Sequence, residues 1–573
     1  MPYYLNVPRL GRTVNRRQLL RGAGGIAASA LSARHLLQGA SRAPVNALPA
    51  ATGSEADQRQ RWVALAESLQ PQLRATVQAP ISVVRPVVDS SRFLRWRMEE
   101  VFPAAELEKR LLRRGDSFIL DFGGHRTGHL SFLLTGEGRS VDAPARLRLT
   151  FGEVPADVAE DLYPYPGTLS SSWLPDEIVN VDFLPQQVRL PRRYAFRYVK
   201  VDVIDTSPNF GVRFEQVQAH ALTSARQQPA ELGLEVPPSL RRIDQVSVAT
   251  LRDCMQTTFE DGPRRDQRLW IGDLRLQALT NYVTFRNNDL VKRCLYLFAG
   301  LPREDGLVAA CVFEKPKPLC GGIYIMDYAA LYGAAVLDYV RATQDRQTAT
   351  DLWPVVRRQM DILGQFVNQD GLFVDPRNMW IFLDWNDELD RTAAMHAVLL
   401  YSYRQALELA RLAGAEQEAS SYPDRIARMT AAARSTFFDS AQKLFVSGTR
   451  RQVSWATQAW LILAGVPTKE EGSEALRNGM RMRDAVRPVT PYLYHHVVDA
   501  MLACGMNYEA RTLIQSYWGG MAEAGADTFW EVYDPSNPRL SPYKSVHINS
   551  YCHAWSCTPA YFLRSRGLAK VSG

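Results

Sequence analysis

Asp351-Leu-Trp-Pro-Val-Val-Arg-Arg-Gln-Met-Asp-Ile-Leu-Gly-Gln-Phe-Val-Asn-Gln-Asp-Gly371 shows the texture of the C-terminal part of this 573-residue chain. Val355, Val356, Met360, Leu363 and Phe366 recur at spacings that share one helical face, and Asn368-Gln-Asp-Gly371 ends the run. The same spacing returns over 274–297, 328–342, 353–367, 393–413, 424–437, 453–464 and 492–504, with Gly, Pro and Asp in the intervening loops. Roughly ten to twelve helices of ordinary length fit beyond residue 240. Helical hairpins in that number bury their apolar faces by closing into a ring, an (α/α)6 toroid spanning 240–573, or by stacking as an open solenoid.

Upstream the periodicity changes. Phe118-Ile-Leu-Asp-Phe, Leu130-Ser-Phe-Leu-Leu, Ala145-Arg-Leu-Arg-Leu-Thr-Phe and Phe196-Arg-Tyr-Val-Lys-Val-Asp-Val are short, apolar-rich and partly alternating. They predict a β-sandwich over 90–225, a structural module in the first instance and a carbohydrate-binding one in the second. Residues 51–89 read as a lead-in helix and linker, with Trp62, Leu65, Leu69 and Leu73 at helical spacing and a break near Pro71.

The formal charge of +7 comes from one place. Residues 1–50 hold seven arginines and no Lys, Asp or Glu; without them, 60 basic residues face 60 acidic ones. Nucleic-acid binding therefore has no electrostatic support. Arg16-Arg17 precedes a small-residue apolar run, Gly22-Ala-Gly-Gly-Ile-Ala-Ala-Ser-Ala-Leu-Ser, too short to span a bilayer. That pattern resembles a twin-arginine export signal, which implies the export machinery as a partner and a periplasmic or secreted protein with no membrane association after export. The seven cysteines form no metal-ligand motif and read as mostly buried thiols.

The chemistry-bearing stretches are Asp261-Gly-Pro-Arg-Arg-Asp266-Gln-Arg-Leu-Trp270-Ile-Gly-Asp273 and Thr528-Phe-Trp530-Glu531. Glycosidic cleavage uses one carboxyl to protonate the leaving oxygen and another to activate water or attack carbon, while flat aromatic faces hold the ring. Taken singly, each residue has a plainer explanation, a solvated ion-pair face or a core aromatic.

The ordered set closely resembles the signature blocks of the bacterial α-L-rhamnosidases, glycoside hydrolase family 78, over about residues 253–563. The resemblance implies a six-hairpin toroid behind a sandwich domain, an inverting reaction on a carbohydrate substrate, and no cofactor or metal. It implies Asp266 as general acid and Glu531 as general base. It places Asp261, Arg265, Trp270, Asp273, Asp384, Trp385, Trp530 and His553 around the sugar. Three positions depart from the pattern: Gly262 stands for cysteine, Arg264 for glutamine and Asp266 for glutamate. Aspartate is one methylene shorter, which withdraws its carboxyl by about 1.5 Å. That departure keeps a non-hydrolytic carbohydrate-binding protein open as an alternative, alongside another toroid enzyme such as a polysaccharide lyase using Tyr494, His495 and His496.

Overall fold

The computed structural model describes residues 53–569. The export-signal reading falls on residues 1–50, outside the described residues. No helix among the described residues is long and apolar enough to cross a membrane.

Helix α1 (Gly53–Ser68) ends ahead of Pro71 and packs on the helical domain. The sheet domain then begins earlier than the sequence suggests: β1 (Arg74–Gln78) and β2 (Ser82–Val88) occupy residues expected to be linker. β1 is an edge strand with mostly exposed side chains, and β2 carries Pro86, so neither shows a clean alternating pattern. The domain continues through β3 (Trp96–Pro103), β4 (Ser117–Gly138), β5 (Ala145–Gly152), helix α2 (Pro155–Ala159), β6 (Asp176–Val181), β7 (Gln186–Arg189), β8 (Tyr194–Asp205) and β9 (Phe210–Thr223).

All pairings in this sandwich are antiparallel. The long β4 is shared: its first part pairs with β2 and β8, and its later part with β7, β8 and β9. The register breaks between Asp121 and Arg126, where Gly123 takes a φ of +75°. Leu130, Phe132 and Leu134 of β4 meet Leu147, Leu149 and Phe151 of β5 and Val199, Val201 and Val203 of β8 in a core of their own.

The helical domain comprises α3 (Pro238–Cys254), α4 (Ile271–Val283), α5 (Asn288–Gly300), α6 (Met326–Thr343), α7 (Arg346–Leu363), α8 (Thr392–Ala413), α9 (Tyr422–Phe437), α10 (Trp455–Leu463), α11 (Lys469–Arg481), α12 (Pro491–Ala503), α13 (Asn507–Glu523) and α14 (Pro559–Ser565). Helices α4, α6, α8, α10 and α12 pack in succession, and α14 packs on both α3 and α4 while α13 packs on α3. The ring therefore closes, which decides between toroid and open solenoid. The stretch 274–297, read as one helix, is two. Arg286 turns left-handed (φ 54°) and the Asn287 side chain caps α5 at the Leu290 N–H, a break that apolar spacing does not reveal.

Connections at one end of the ring are short, as in 343–346 and 503–507. Those leading into the N-termini of α4, α6, α8 and α14 are long, and they carry the candidate residues of the motifs except Asp273, which sits in the first turn of α4.

Candidate active site

The loop entering α4 is closed by its own backbone: the Asp261 N–H donates to the Arg268 carbonyl (2.9 Å), and the Arg268 N–H donates to Asp261 Oδ1 (3.2 Å). The Ala554 N–H donates to the Asp261 carbonyl (2.7 Å), which ties this loop to the one entering α14. Gly262 is placed so tightly that a Cβ would meet Ser550 Oγ at 2.6 Å. The glycine departure thus goes with a close approach of the two loops.

Arg264, the second departure, is a domain clamp. Its buried guanidinium donates to both oxygens of Asp157 on α2 (2.5 and 3.0 Å) and to the His547 carbonyl (2.8 Å). Arg193, just before β8, grips Glu260 (2.7 and 2.8 Å), just before the first motif, and Arg197 of β8 grips Asp527 (2.7 Å), just before the second. Both motifs are therefore held by arginine pairs that cross the domain boundary.

Between the motifs lies Arg265. Its Nη2 donates to Glu531 Oε1 (3.2 Å) and Oε2 (3.3 Å) and to the Tyr543 hydroxyl (3.2 Å), and lies 4.0 Å from Asp266 Oδ2. Because one atom is 4.0 Å from the first carboxylate and 3.2 Å from the second, those two oxygens are at most about 7.2 Å apart. Inverting glycosidases space their carboxyls by roughly 6.5–9.5 Å. Arg265, an expected sugar contact, has its Nη2 within reach of both acids. Glu531 also accepts from the Tyr543 O–H and from the Ser550 N–H (3.1 Å).

Exposure separates the acids. The Asp266 side chain keeps 17% of its surface, against 1% for Glu531 and 3% for Asp273. Burial carries Asp261 well above the usual carboxylate range, with Asp266 and Asp273 adding to the rise. Burial does the same to Asp273, reinforced by Glu531 and Asp266. Glu531 is raised by burial too, against the opposing pull of Arg265, Tyr543 and the Ser550 N–H.

Several buried polar atoms here have no hydrogen-bond partner within the protein: the Trp270 and Trp385 indole N–H groups, Asp273 Oδ1, His553 Nδ1 and Arg265 Nε. Leaving such a group unpaired costs about 1–3 kcal/mol, so these groups are available to a polar ligand. The His553 ring lies tilted against that of Trp555 (4.2 Å) and puts Nδ1 3.6 Å from Asp273 Oδ1; burial, then Arg265, push its pKa well below the usual value and keep it neutral. The Trp385 ring stands 5.8 Å from that of Tyr543.

Two expected sugar contacts are placed otherwise. Trp530 is fully buried, stacked on Phe93 of the sandwich domain (4.0 Å) and edge-on to Tyr551. Its neighbour Glu531 faces the cluster, so the adjacent side chain points away. Asp384 spends both oxygens on the start of α12, accepting from the Val489 N–H (2.9 Å), the Thr490 N–H (3.1 Å) and the Thr490 hydroxyl. Burial raises it to about 6. Asp384 orients the loop that carries Trp385. Asp327, at the start of α6, does similar work through the Phe382 (2.9 Å) and Leu383 (3.1 Å) N–H groups.

Sequence reasoning missed Tyr543, Glu153 and Asp157, which lie in no motif and carry no periodic signal. The lyase alternative loses its residues: His495 and His496 are buried in the helical core and, through burial, far below the usual histidine range, while Tyr494 stacks on Tyr517 (3.7 Å). Among the described residues no group of three or more His, Cys, Asp or Glu is arranged to hold a metal ion. A cleft of about 680 Å³ in the sandwich domain, lined by Arg113, Arg114 and Arg146, contains none of the candidate residues.

A closed ring of helical hairpins whose long loops gather opposed carboxyls beside indoles is the build of a six-hairpin glycosidase. Comparison with known proteins narrows this. Residues 80–221 match the glycosyl hydrolase family 78 α-rhamnosidase N-terminal domain, and residues 237–566 match the bacterial α-L-rhamnosidase six-hairpin glycosidase domain. The chain belongs to glycoside hydrolase family 78, the α-L-rhamnosidases. A rhamnosidase from Klebsiella oxytoca with rhamnose bound is 46% identical over 89% of this chain and 99% of its own, with a TM-score of 0.86. The family 78 rhamnosidase of Bacillus sp. GL1 (23% identity, 78% of this chain and 46% of that one, TM-score 0.67) shares the fold. So does Streptomyces avermitilis α-L-rhamnosidase complexed with L-rhamnose (17% identity, 86% and 44%, TM-score 0.62). No curated protein matches the chain in sequence.

Proposed function

We propose that this protein is an inverting exo-glycosidase that removes terminal α-L-rhamnosyl residues from glycans or glycosides. The observation that carries the glycosidase reading is Arg265 Nη2 lying 4.0 Å from Asp266 and 3.2 Å from Glu531, which brings the two acids to one place with facing oxygens no more than about 7.2 Å apart; the inverting course is what the family 78 resemblance implies. The 46% identity to a rhamnosidase with rhamnose bound supports the choice of sugar. Asp266, the more exposed acid, delivers a proton to the leaving oxygen. Glu531, held by Arg265, Tyr543 and Ser550, takes a proton from the water that attacks the opposite face of the ring. Asp261, Trp270, Asp273, Trp385 and His553 line the sugar; Arg265 keeps the catalytic pair in register. The Arg16-Arg17 leader directs the enzyme through the twin-arginine route to the periplasm or beyond.

Kinetics on an aryl α-L-rhamnoside test the assignment. Glu531→Gln and Asp266→Asn should each lower kcat by about a hundredfold or more while rhamnose still binds. Full turnover in either variant removes that residue from the mechanism. Rhamnose binding without turnover in the unmodified enzyme would favour the carbohydrate-binding reading, which the short Asp266 side chain motivates. Export is tested by Arg16→Lys combined with Arg17→Lys, which should hold the protein in the cytoplasm.

A further inference from the structure

One carboxylate of the sandwich domain reaches both catalytic loops. Glu153 Oε2, at the end of β5, accepts from the Tyr551 N–H (2.7 Å) and lies 3.4 Å from Arg264 Nη1. Tyr551 follows Ser550, whose N–H holds Glu531; Arg264 is two residues from Asp266. The other oxygen, Oε1, meets His125 Nε2 of β4 at 3.0 Å, and His125 Nδ1 meets Asp253 Oδ2 of α3 at 2.7 Å. A ring flanked by two carboxylates donates from both nitrogens and is an imidazolium. Burial opposes that charge, but contacts with Cys552, Asp253 and Glu153 carry the His125 pKa well above the usual value. Glu153 is thereby pinned from behind, its side chain 1% exposed. Asp157, one helical turn on, holds Arg264 and also accepts the Glu153 and Val154 N–H groups.

We propose that Glu153 is a positioning residue for the hydrolysis: from the sandwich domain it fixes the spacing between the loop bearing Asp266 and the loop bearing Glu531. The sandwich domain is then part of the catalytic apparatus and not a separate sugar-binding module. The proposal rests on the acid and base roles given above. Replacing Glu153 by glutamine keeps its volume but presents an amide N–H₂ to Arg264, Tyr551 N–H or His125, all donors. The loops lose their shared anchor, and a misplacement of about 1 Å between reacting groups costs roughly a hundredfold in rate.

The experiment compares E153Q with the unmodified enzyme by steady-state kinetics on an aryl α-L-rhamnoside, with kcat scaled to the number of rhamnose-binding sites found by calorimetry. The expected result is a tenfold to hundredfold fall in kcat per site, KM changed by no more than about threefold, and a displaced acid limb of the pH profile. Fewer competent sites with unaltered kcat per site and an unaltered profile would mean a merely structural role and would overturn the proposal. Should E153Q not fold, R264K, which keeps the charge but not the fork, is scored by the same two outcomes. Should the unmodified enzyme hydrolyse no α-L-rhamnoside, the hydrolase reading fails by itself. Crystal structures then decide: an Asp266–Glu531 spacing altered by about 1 Å in the variant upholds the positioning role, and an unchanged spacing refutes it.

Discussion

Removing the Tyr543 hydroxyl isolates one contact of Glu531, the proposed general base. Glu531 accepts from three donors, the Tyr543 O–H, Arg265 Nη2 and the Ser550 N–H. Each favours the ionised carboxylate, while burial favours the protonated one, and the balance leaves its pKa above the ordinary glutamate value of 4.5. A hydrogen bond to a charged group contributes about 1.5–3 kcal/mol, and 1.36 kcal/mol corresponds to about one pKa unit. Arg265 also donates to the Tyr543 oxygen, so in Tyr543→Phe that guanidinium is released to lean further on Glu531. The lower end of the range applies, about one unit. Since Glu531 must be ionised to accept a proton from water, kcat/KM falls as pH drops through its pKa. The acid limb of unmodified enzyme lies above pH 4.5, and Tyr543→Phe moves it up by about one unit. The assay is kcat/KM on an aryl α-L-rhamnoside from pH 3 to 8, with the fold verified at each pH. A limb that stays put, or moves down, refutes the assignment of Glu531 as the base held by Tyr543.

Other outcomes follow from the same geometry. Asp157→Ala leaves the Arg264 guanidinium buried with Glu153 at 3.4 Å and the His547 carbonyl as remaining partners. A broken buried pair costs about 3–5 kcal/mol, so a loss near 3 kcal/mol is expected in urea unfolding, whereas Glu408→Ala, which breaks the exposed pair with Arg341, costs less than about 1 kcal/mol. Asp384 rises from 3.8 to about 6 on folding, so its contribution is complete below pH 3.8 and is lost as pH climbs to about 6. Asp384→Asn should flatten the fall in unfolding midpoint between pH 4 and 6, removing about 3 kcal/mol of the dependence. Trp385→Ala should raise KM about tenfold or more with little change in stability, while Trp530→Ala should destabilise by about 3–5 kcal/mol; the opposite pattern would return Trp530 to the sugar pocket.

Much of this architecture was legible in the chain. Apolar spacing marked the helices, alternation in Ala145–Phe151 marked a core strand, and the two motifs held the carboxyls that the fold brings to one arginine. What escaped has physical reasons. β1 is exposed and β2 holds a proline, so neither shows the alternation that identifies a strand. The break at Arg286 and Asn287 lies between two helices that are both buried, and hydrophobic period is blind to a turn between them. Adjacency in Trp530-Glu531 suggests a shared role, but here the two side chains part, the indole packing on Phe93 and only the acid facing the cluster. Arg264 looked like a departure in the motif because its partners, Asp157 and Glu153, belong to the other domain. Tyr543 gives no signal at all: its part in the site depends on where a long loop without regular structure happens to lie.

The claim on which the rest stands is that Asp266 and Glu531 work from opposite faces of one sugar. Proton NMR of the first product released from an aryl α-L-rhamnoside, recorded before mutarotation, examines it most directly. Inversion predicts β-L-rhamnose first, with the α-anomer growing in later; α-L-rhamnose as the initial product would contradict the account.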